Sequence, residues 1–411
     1  MARVSSTYLP LEGGGFEIVM ANKNLTNAKR AKNDEFYTQY SDIQKEIEAY
    51  LEYSPDVFRG KVVYCNCDDP FESNFFRYFV LNFNKLGLKQ IITTSYKPSP
   101  VANTQLRLFG DDKTLTKSKG RPKVTANKFV INEVRDIDGD GEFNLKDVAM
   151  QLKKNKHNEW MPLEGDGDFR SDECINLLNR SDIVVTNPPF SLFREYLKQL
   201  IDYKKRFVII GNMNAITYKE VFPLIKDNKI WFGAGKNDGR NVWYQVPDSY
   251  KSFHKEEDGK KYAFVAGTIW FTNLDHGRRH QPLPLMTKAE VVKFGTKKPF
   301  EKYDNYDVIE VSLVKYIPSD YKGVMGVPIS FLSKYSPYQF EILGSDAYDG
   351  TPPTKKYPKK VKVVDGKRMK SNTGTMGCVI KEKDFGLGTY FDVGYPVKAV
   401  YKRIFIKHKK K

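Results

Sequence analysis

Between residues 61 and 272 the chain alternates short apolar runs with helical patterns, and no other feature restricts its fold as much. Runs at 61–67, 90–95, 182–186, 206–211 and 268–272 read as strands: each is short, largely apolar or β-branched, and bounded by polar or turn residues. The stretches 71–86, 172–178 and 192–203 read as helices, and Phe75, Phe76, Phe79 and Val80 fall on one face of the first. Strands separated by helices of this length require right-handed βαβ crossovers. The expected class is therefore α/β, a doubly wound, mostly parallel sheet covered on both faces. Ligands in such folds sit beyond the carboxyl ends of the strands, so chemistry is expected just after Cys67, Ser95, Thr186 and Gly211.

The 411 residues, 40% hydrophobic and 14% aromatic, exclude a wholly disordered chain. Lys and Arg outnumber Asp and Glu by 67 to 50, and a net charge of +17 points to a polyanionic partner. Apolar runs such as 207–211 fall far short of the ~20 residues a spanning helix needs, and the first residues carry no apolar signal core. A cytoplasmic protein that does not engage membranes is expected. Cys65, Cys67, Cys174 and Cys378 are too few and scattered for a disulfide framework and are expected as thiols. Cys65 and Cys67 lack the second nearby pair of a structural zinc site and read as part of a buried strand.

Most of the excess charge sits at the C-terminal end. Residues 351–411 hold 17 Lys or Arg against four acids, which is +13 of the +17. Apolar alternation at 395–401 and 403–407 argues that folded strands, not a disordered tail, carry these charges. Residues 97–160 begin rich in Pro and Lys and read as an excursion from the sheet.

After the strand at 182–186 comes Asn187-Pro188-Pro189-Phe190, then a helix. Two prolines fix φ and remove two N–H donors, leaving carbonyls free to accept, while Asn187 offers a side-chain oxygen at the strand end. An exocyclic amine placed there could donate one hydrogen to the Asn187 oxygen and one to the Pro188 carbonyl, with Phe190 against its ring. Taken alone, the tetrapeptide is equally a rigid turn with Asn187 as a helix cap.

The sequence resembles the N6-adenine DNA methyltransferases, and most closely the EcoRI-type modification methylase family. The resemblance rests on Asn33-Asp-Glu-Phe-Tyr-Thr-Gln39, Val62-Val-Tyr-Cys-Asn-Cys-Asp-Asp-Pro70, Gly165-Asp-Gly-Asp-Phe-Arg-Ser171, the run 182–193, Trp270-Phe-Thr-Asn-Leu274 and Gly323-Val-Met-Gly-Val-Pro328. It implies a Rossmann-like methyltransferase sheet, S-adenosylmethionine as cofactor, and duplex DNA from which one adenine is flipped out, with a role in restriction-modification or a related system. On this resemblance Asn187, Pro188, Pro189 and Phe190 form the catalytic motif, and Tyr37 and Thr38 close over the methionine part of the cofactor. Asp68, Asp69 and Pro70 lie where relatives hold its methionine or ribose, and Asp168 and Phe169 meet its adenine. The implied organisation is an N-terminal segment 1–60, a catalytic core 61–275 containing the excursion 97–160, and a basic target-recognition region 276–411, acting on DNA as a monomer.

This pattern has departures. The loop at 68–74 lacks glycines for close backbone approach, and the strand ending at Ser95 has no terminal acid for a ribose. Asp168 has an alternative reading as a cap for the helix near 172. Trp270 and Phe271 are candidates for a second stacking wall or for core aromatics. Methyl transfer to RNA or to a glutamine amide remains open, as does a non-catalytic DNA-binding protein on a methylase scaffold.

A separate motif lies in the excursion. Asp136, Asp138, Asp140, Asn144 and Asp147 occupy positions 1, 3, 5, 9 and 12 of a calcium-type loop that also holds Glu142, with Gly141 at position 6. It resembles the loop of dockerin-type modules, and structural calcium bound by Asp136, Asp138, Asp140, Glu142 and Asp147 is the expectation. A polar acidic turn is the alternative.

Overall fold

The five apolar runs all become strands of one eight-stranded sheet in the computed structural model, which describes residues 38–67, 73–96, 126–137, 139, 147–148, 150–151, 157–235, 242–246, 253–265, 267–295, 300–346, 351–370, 376–381 and 388–409. Numbered along the chain, its strands are β1 (Val62–Cys65), β2 (Gln90–Thr94), β3 (Asn127–Ile131), β4 (Glu159–Pro162), β5 (Ile183–Thr186), β6 (Arg206–Asn212), β7 (Trp231–Phe232) and β11 (Thr268–Thr272). Their spatial order is β4-β3-β2-β1-β5-β6-β11-β7. The central four, β2-β1-β5-β6, pair in parallel as the alternation requires, whereas β3, β4, β11 and β7 join through antiparallel pairings.

The central strands are buried on both faces, which is why β1 and β5 are continuous apolar runs. Alternate residues feed two cores. Val62, Tyr64 and Val184 face one shared with helices α4 (Asp172–Arg180) and α5 (Phe193–Asp202). Val63, Cys65, Ile183 and Val185 face the other, covered by α1 (Tyr40–Tyr53) and α2 (Asn74–Leu81). The expected helix at 71–86 is two helices, α2 and the short α3 (Phe83–Leu86). Ser73 caps α2 by accepting from the N–H groups of Phe75 and Phe76 at 3.1 Å. Asn82 ends it, its backbone and side-chain N–H groups both donating to the Tyr78 carbonyl.

The region read as an excursion is partly sheet, because 127–131 and 159–162 form β3 and β4. The antiparallel register of β3 on β2 buries Phe129 and Ile131 against the α2 side. β4 is the edge strand and largely exposed, so its pattern is weak, whereas β3 lies between β4 and β2 with only Phe129, Val130 and Ile131 buried.

The rest of the chain is largely β. A three-stranded sheet holds β8 (Val242–Val246), β9 (Lys255–Glu257) and β10 (Lys260–Val265). A four-stranded sheet has the order β12-β13-β20-β14, with β12 at Ile309–Glu310, β13 at Met325–Pro328, β14 at Phe340–Ser345 and β20 at Arg403–His408. Its Met325, Val327, Phe340, Ile404 and Ile406 enter the same apolar cluster as Ile225, Phe232 and Phe271. A five-stranded sheet has the order β16-β15-β18-β19-β17, comprising β15 (Val361–Val364), β16 (Lys367–Met369), β17 (Cys378–Ile380), β18 (Thr389–Asp392) and β19 (Pro396–Ala399). Within the basic end of the chain, the alternating runs at 395–401 and 403–407 fall on β19 and β20. No helix among the described residues is long and apolar enough to cross a membrane.

Candidate active site

Because β1 and β5 are parallel neighbours, the residues leaving their carboxyl ends lie side by side. Two hydrogen bonds tie the exits together: the Thr186 hydroxyl donates to the Asn66 backbone carbonyl, and the Tyr196 hydroxyl, from α5, donates to Asn66 Oδ1. Asn66, Thr186 and Tyr196 are all buried, so the junction is held in a low-dielectric setting where such bonds rigidify. Cys67 then takes a positive φ of 60° as the chain turns away.

Asn187 and Pro188 follow β5 as buried residues, and Pro189 and Phe190 are half-buried. Phe190 opens a single 3-10 turn to Leu192, and Leu192 N–H donates to the Pro189 carbonyl at 2.9 Å. One of the two proline carbonyls is therefore consumed by the turn. The Pro188 carbonyl accepts no hydrogen bond among the described residues. Asn187 is not a helix cap, since α5 starts after the turn with Leu192 at its N-cap position. Phe190 packs on the cluster containing Phe75 and Trp270.

The segment before α1 meets this region. Asn74, the first residue of α2, donates its side-chain N–H to the Thr38 carbonyl at 2.7 Å. Thr38 is buried, and its Oγ1 and the neighbouring Gln39 Nε2 have no hydrogen-bond partner among the described residues. Thr38 also lines a small cavity of about 50 Å³ with Asp42 and Lys45 of α1, Ile210 of β6, Tyr244, and residues 268–270 of β11. Trp270 lines that cavity together with Tyr244, whereas Phe271 points to the opposite core between Phe193 and Phe232. Trp270 and Phe271 are both buried core aromatics, with Trp270 packed edge-on against Phe75.

Sequence reasoning missed the residue that holds α1 in place. Glu46 is fully buried; its carboxylate accepts from Ala234 N–H at 2.9 Å, from Gly235 N–H, and from the Tyr50 hydroxyl at 2.5 Å. Burial pushes the Glu46 carboxyl up, and these three donors oppose it. A Cβ on Gly233 would come 2.0 Å from Glu46 Oε1. The signal was the Gly-Ala-Gly triplet at 233–235, legible only once its partner is known.

Asp168 arrives at the end of β2. Gly167 has φ +79°, and a Cβ there would sit 2.0 Å from the Ser95 carbonyl oxygen, so the segment 166–168 lies directly on the exit of that strand. The strand without a terminal acid thus receives Asp166 and Asp168 from elsewhere in the chain. Asp166 Oδ1 accepts from Asp168 N–H at 3.0 Å. Arg170 grips the Asp168 carboxylate with two bonds of 2.9 and 2.6 Å and reaches Glu195 at 2.9 Å, which raises the Arg170 guanidinium further. Helix α4 is capped by Ser171, not by Asp168. Phe169 is buried with its ring 5.0 Å from that of Tyr196.

Tyr37, Asp68, Asp69 and Pro70 lie outside the described residues, as do Asp138, Asp140 and Glu142 of the calcium-type loop. Asp136 Oδ1 accepts from Gly139 N–H at 2.7 Å, and the buried Asp147 accepts from Ile137 N–H at 2.8 Å. Among the described residues, no group of three or more His, Cys, Asp or Glu is placed to hold a metal ion.

A family model described as the EcoRI adenine-specific methyltransferase matches residues 24–409. The Type II methyltransferase M.EcoRI of Escherichia coli is 45% identical over 329 residues, covering 78% of this chain and 89% of its own. The Type II methyltransferase M.MpnI of Mycoplasma pneumoniae is 35% identical over 322 residues, covering 77% of this chain and 83% of its own. No solved structure matches the chain.

Proposed function

The chain belongs to the EcoRI family of adenine-specific methyltransferases, and on that premise we propose that it transfers a methyl group from S-adenosylmethionine to N6 of an adenine flipped out of duplex DNA. The observation that carries this reading is the tetrapeptide Asn187-Pro188-Pro189-Phe190 at the exit of β5, locked beside the exit of β1. The cofactor, when bound, supplies a sulfonium methyl already activated by its positive charge, so the protein's task is positioning and exclusion of water. Asn187 Oδ1 and the Pro188 carbonyl accept the two amine hydrogens. That favours a pyramidal N6 with its lone pair available, an interaction stronger in the transition state than in the planar amine. Phe190 stacks on the extruded base and offsets part of the few kcal/mol of unstacking.

The chain's own residues fit such a cofactor. Thr38 and Gln39 present buried polar atoms without partners among the described residues, and Asp166 with Asp168 supplies the acids missing from β2. In this reading Tyr37 and Thr38 contact the methionine part, Asp68, Asp69 and Pro70 lie beside it, Asp168 accepts from the adenine amine, and Phe169 supports that segment from the core. The sheet is Rossmann-like, 61–275 is the catalytic core, and the basic region 276–411 recognises the target as a monomer on DNA. Calcium held by Asp136, Asp138, Asp140, Glu142 and Asp147 staples the 136–147 loop without entering the chemistry. The Ile137 N–H bond to Asp147 supports that reading, since it ties the two ends of the loop together.

Incubation with labelled cofactor and mixed-sequence duplex DNA, followed by nucleoside analysis, tests the proposal. Label in N6-methyladenine at one recurring sequence is expected. Label in cytosine, or transfer to RNA or protein but not to duplex DNA, would overturn it.

A further inference from the structure

The five-stranded sheet ends on one side in the hairpin β15–β16. Its two-residue turn, Asp365 and Gly366, has φ values of 47° and 77°, the left-handed pair that matches strand twist. Pairing sets Lys362 opposite Met369 and Val364 opposite Lys367. Opposite residues share a face, so these four side chains lie on one side of the ribbon and Val363 and Arg368 on the other. Val363 is buried on one side, where the exposed Arg368 pairs with Asp392 at 2.6 Å; on the other side Phe391 of β18, opposite Lys362, is buried as well. At the rim of the sheet β16 is an edge strand with every residue exposed, and Met369 keeps 52% of its surface.

The charge around this ribbon is one-sided. Residues 351–370 hold eight Lys or Arg and a single acid, Asp365. That carboxylate is already engaged, accepting from Gly388 N–H at 2.8 Å and pinning the turn. Lys355 pairs with Asp304. Lys356, Lys359, Lys362, Lys367 and Lys370 form no ion pair among the described residues. Lysines on an edge strand discourage pairing between chains, but that role does not account for a large exposed methionine set between them.

We propose that the β15–β16 hairpin enters the major groove of the duplex substrate, with Lys362 and Lys367 on phosphates and Met369 against base edges. The proposal rests on the DNA-methyltransferase reading above. A two-stranded ribbon fits a groove about 12 Å wide, and an exposed apolar side chain beside its lysines suits the thymine C5-methyl group. Phosphate contacts would set register, and the methionine would contribute sequence preference.

The test compares wild type, Lys362→Ala/Lys367→Ala and Met369→Ala, each confirmed folded by circular dichroism. Two readouts are taken: duplex binding across a salt series, and methylated positions on mixed-sequence duplex. The double lysine variant should lose about 0.9 from the log–log salt slope for each phosphate contact removed. Met369→Ala should keep the wild-type slope and methylate additional related sites. Wild-type slope and wild-type site choice in both variants would overturn the hairpin while leaving the enzyme reading intact. A reduced slope in the lysine variant with unchanged sites in Met369→Ala would overturn groove entry in favour of phosphate contact alone. A wild-type chain that methylates no duplex would overturn the underlying reading and the hairpin with it.

Discussion

Gly167→Ala is the substitution for which the structure dictates the outcome most directly. The residue has φ +79°, a conformation that an alanine adopts at about 1–2 kcal/mol. Its new Cβ would also lie 2.0 Å from the Ser95 carbonyl oxygen and 3.1 Å from Ala126 Cβ. No side-chain rotation relieves a clash with backbone, and Ser95 is fixed by two bonds to Asn127, of 2.9 Å through its N–H and 2.8 Å through its hydroxyl. Overpacking of this kind adds about 1–3 kcal/mol. The combined strain of about 2–5 kcal/mol must appear either as lost global stability or as detachment of the 166–168 segment from β2. Urea denaturation measures the first, and calorimetric titration with S-adenosylmethionine the second. If the segment detaches, Asp166 and Asp168 leave the end of β2, and affinity for the cofactor should fall by about tenfold or more with little change in urea midpoint. A variant with wild-type midpoint and wild-type affinity would refute both the close approach and the placement of these acids.

Asn187→Ala should lower the rate of methyl transfer by about 10² to 10³, as for removal of a preorganised hydrogen-bonding group, while cofactor affinity stays near wild type; wild-type turnover on duplex DNA would count against the assignment. His276 is buried with Nε2 2.9 Å from the Phe232 carbonyl, and burial lowers its pKa from 6.5 to about 4. Since the unfolded chain takes up that proton first, the stability present above pH 6.5 should be lost as pH falls to 4, by about 3 kcal/mol, and His276→Gln should flatten this window in pH-dependent urea melts. Calcium should raise the melting temperature of metal-stripped protein in proportion to the logarithm of its concentration, and Asp138→Ala/Asp140→Ala should remove that gain without affecting methyl transfer; no shift at millimolar calcium would leave 136–147 as an acidic turn. Removing 351–411 is not a clean probe of DNA contact, because it deletes β20, which lies between β13 and β14 and buries Ile404 and Ile406.

By itself the sequence determined the β-α alternation and the tetrapeptide after β5, because both are written in local spacing. A strand buried on both faces must be continuously apolar, and two successive prolines fix φ and remove two N–H donors wherever they occur. It also indicated that the runs at 395–401 and 403–407 are strand, since alternation with period two has no use in a solvated tail. Tertiary structure alone decided which distant pieces meet. Gly167 on Ser95, Glu46 on residues 233–235, and Trp270 in the cavity while Phe271 faces the core all depend on which surfaces pack. Adjacent aromatics on a strand point to opposite faces, so the pattern told of two sides but not which side held the cavity. β4 was missed because it is a largely exposed edge strand with a diluted apolar signal, and β3 because its apolar run is only the three residues 129–131; their place was set by pairing onto β2 across a long connection. The acids at the end of β2 were hidden for the same reason: they come from a segment some seventy residues away along the chain, and only the fold brings them there.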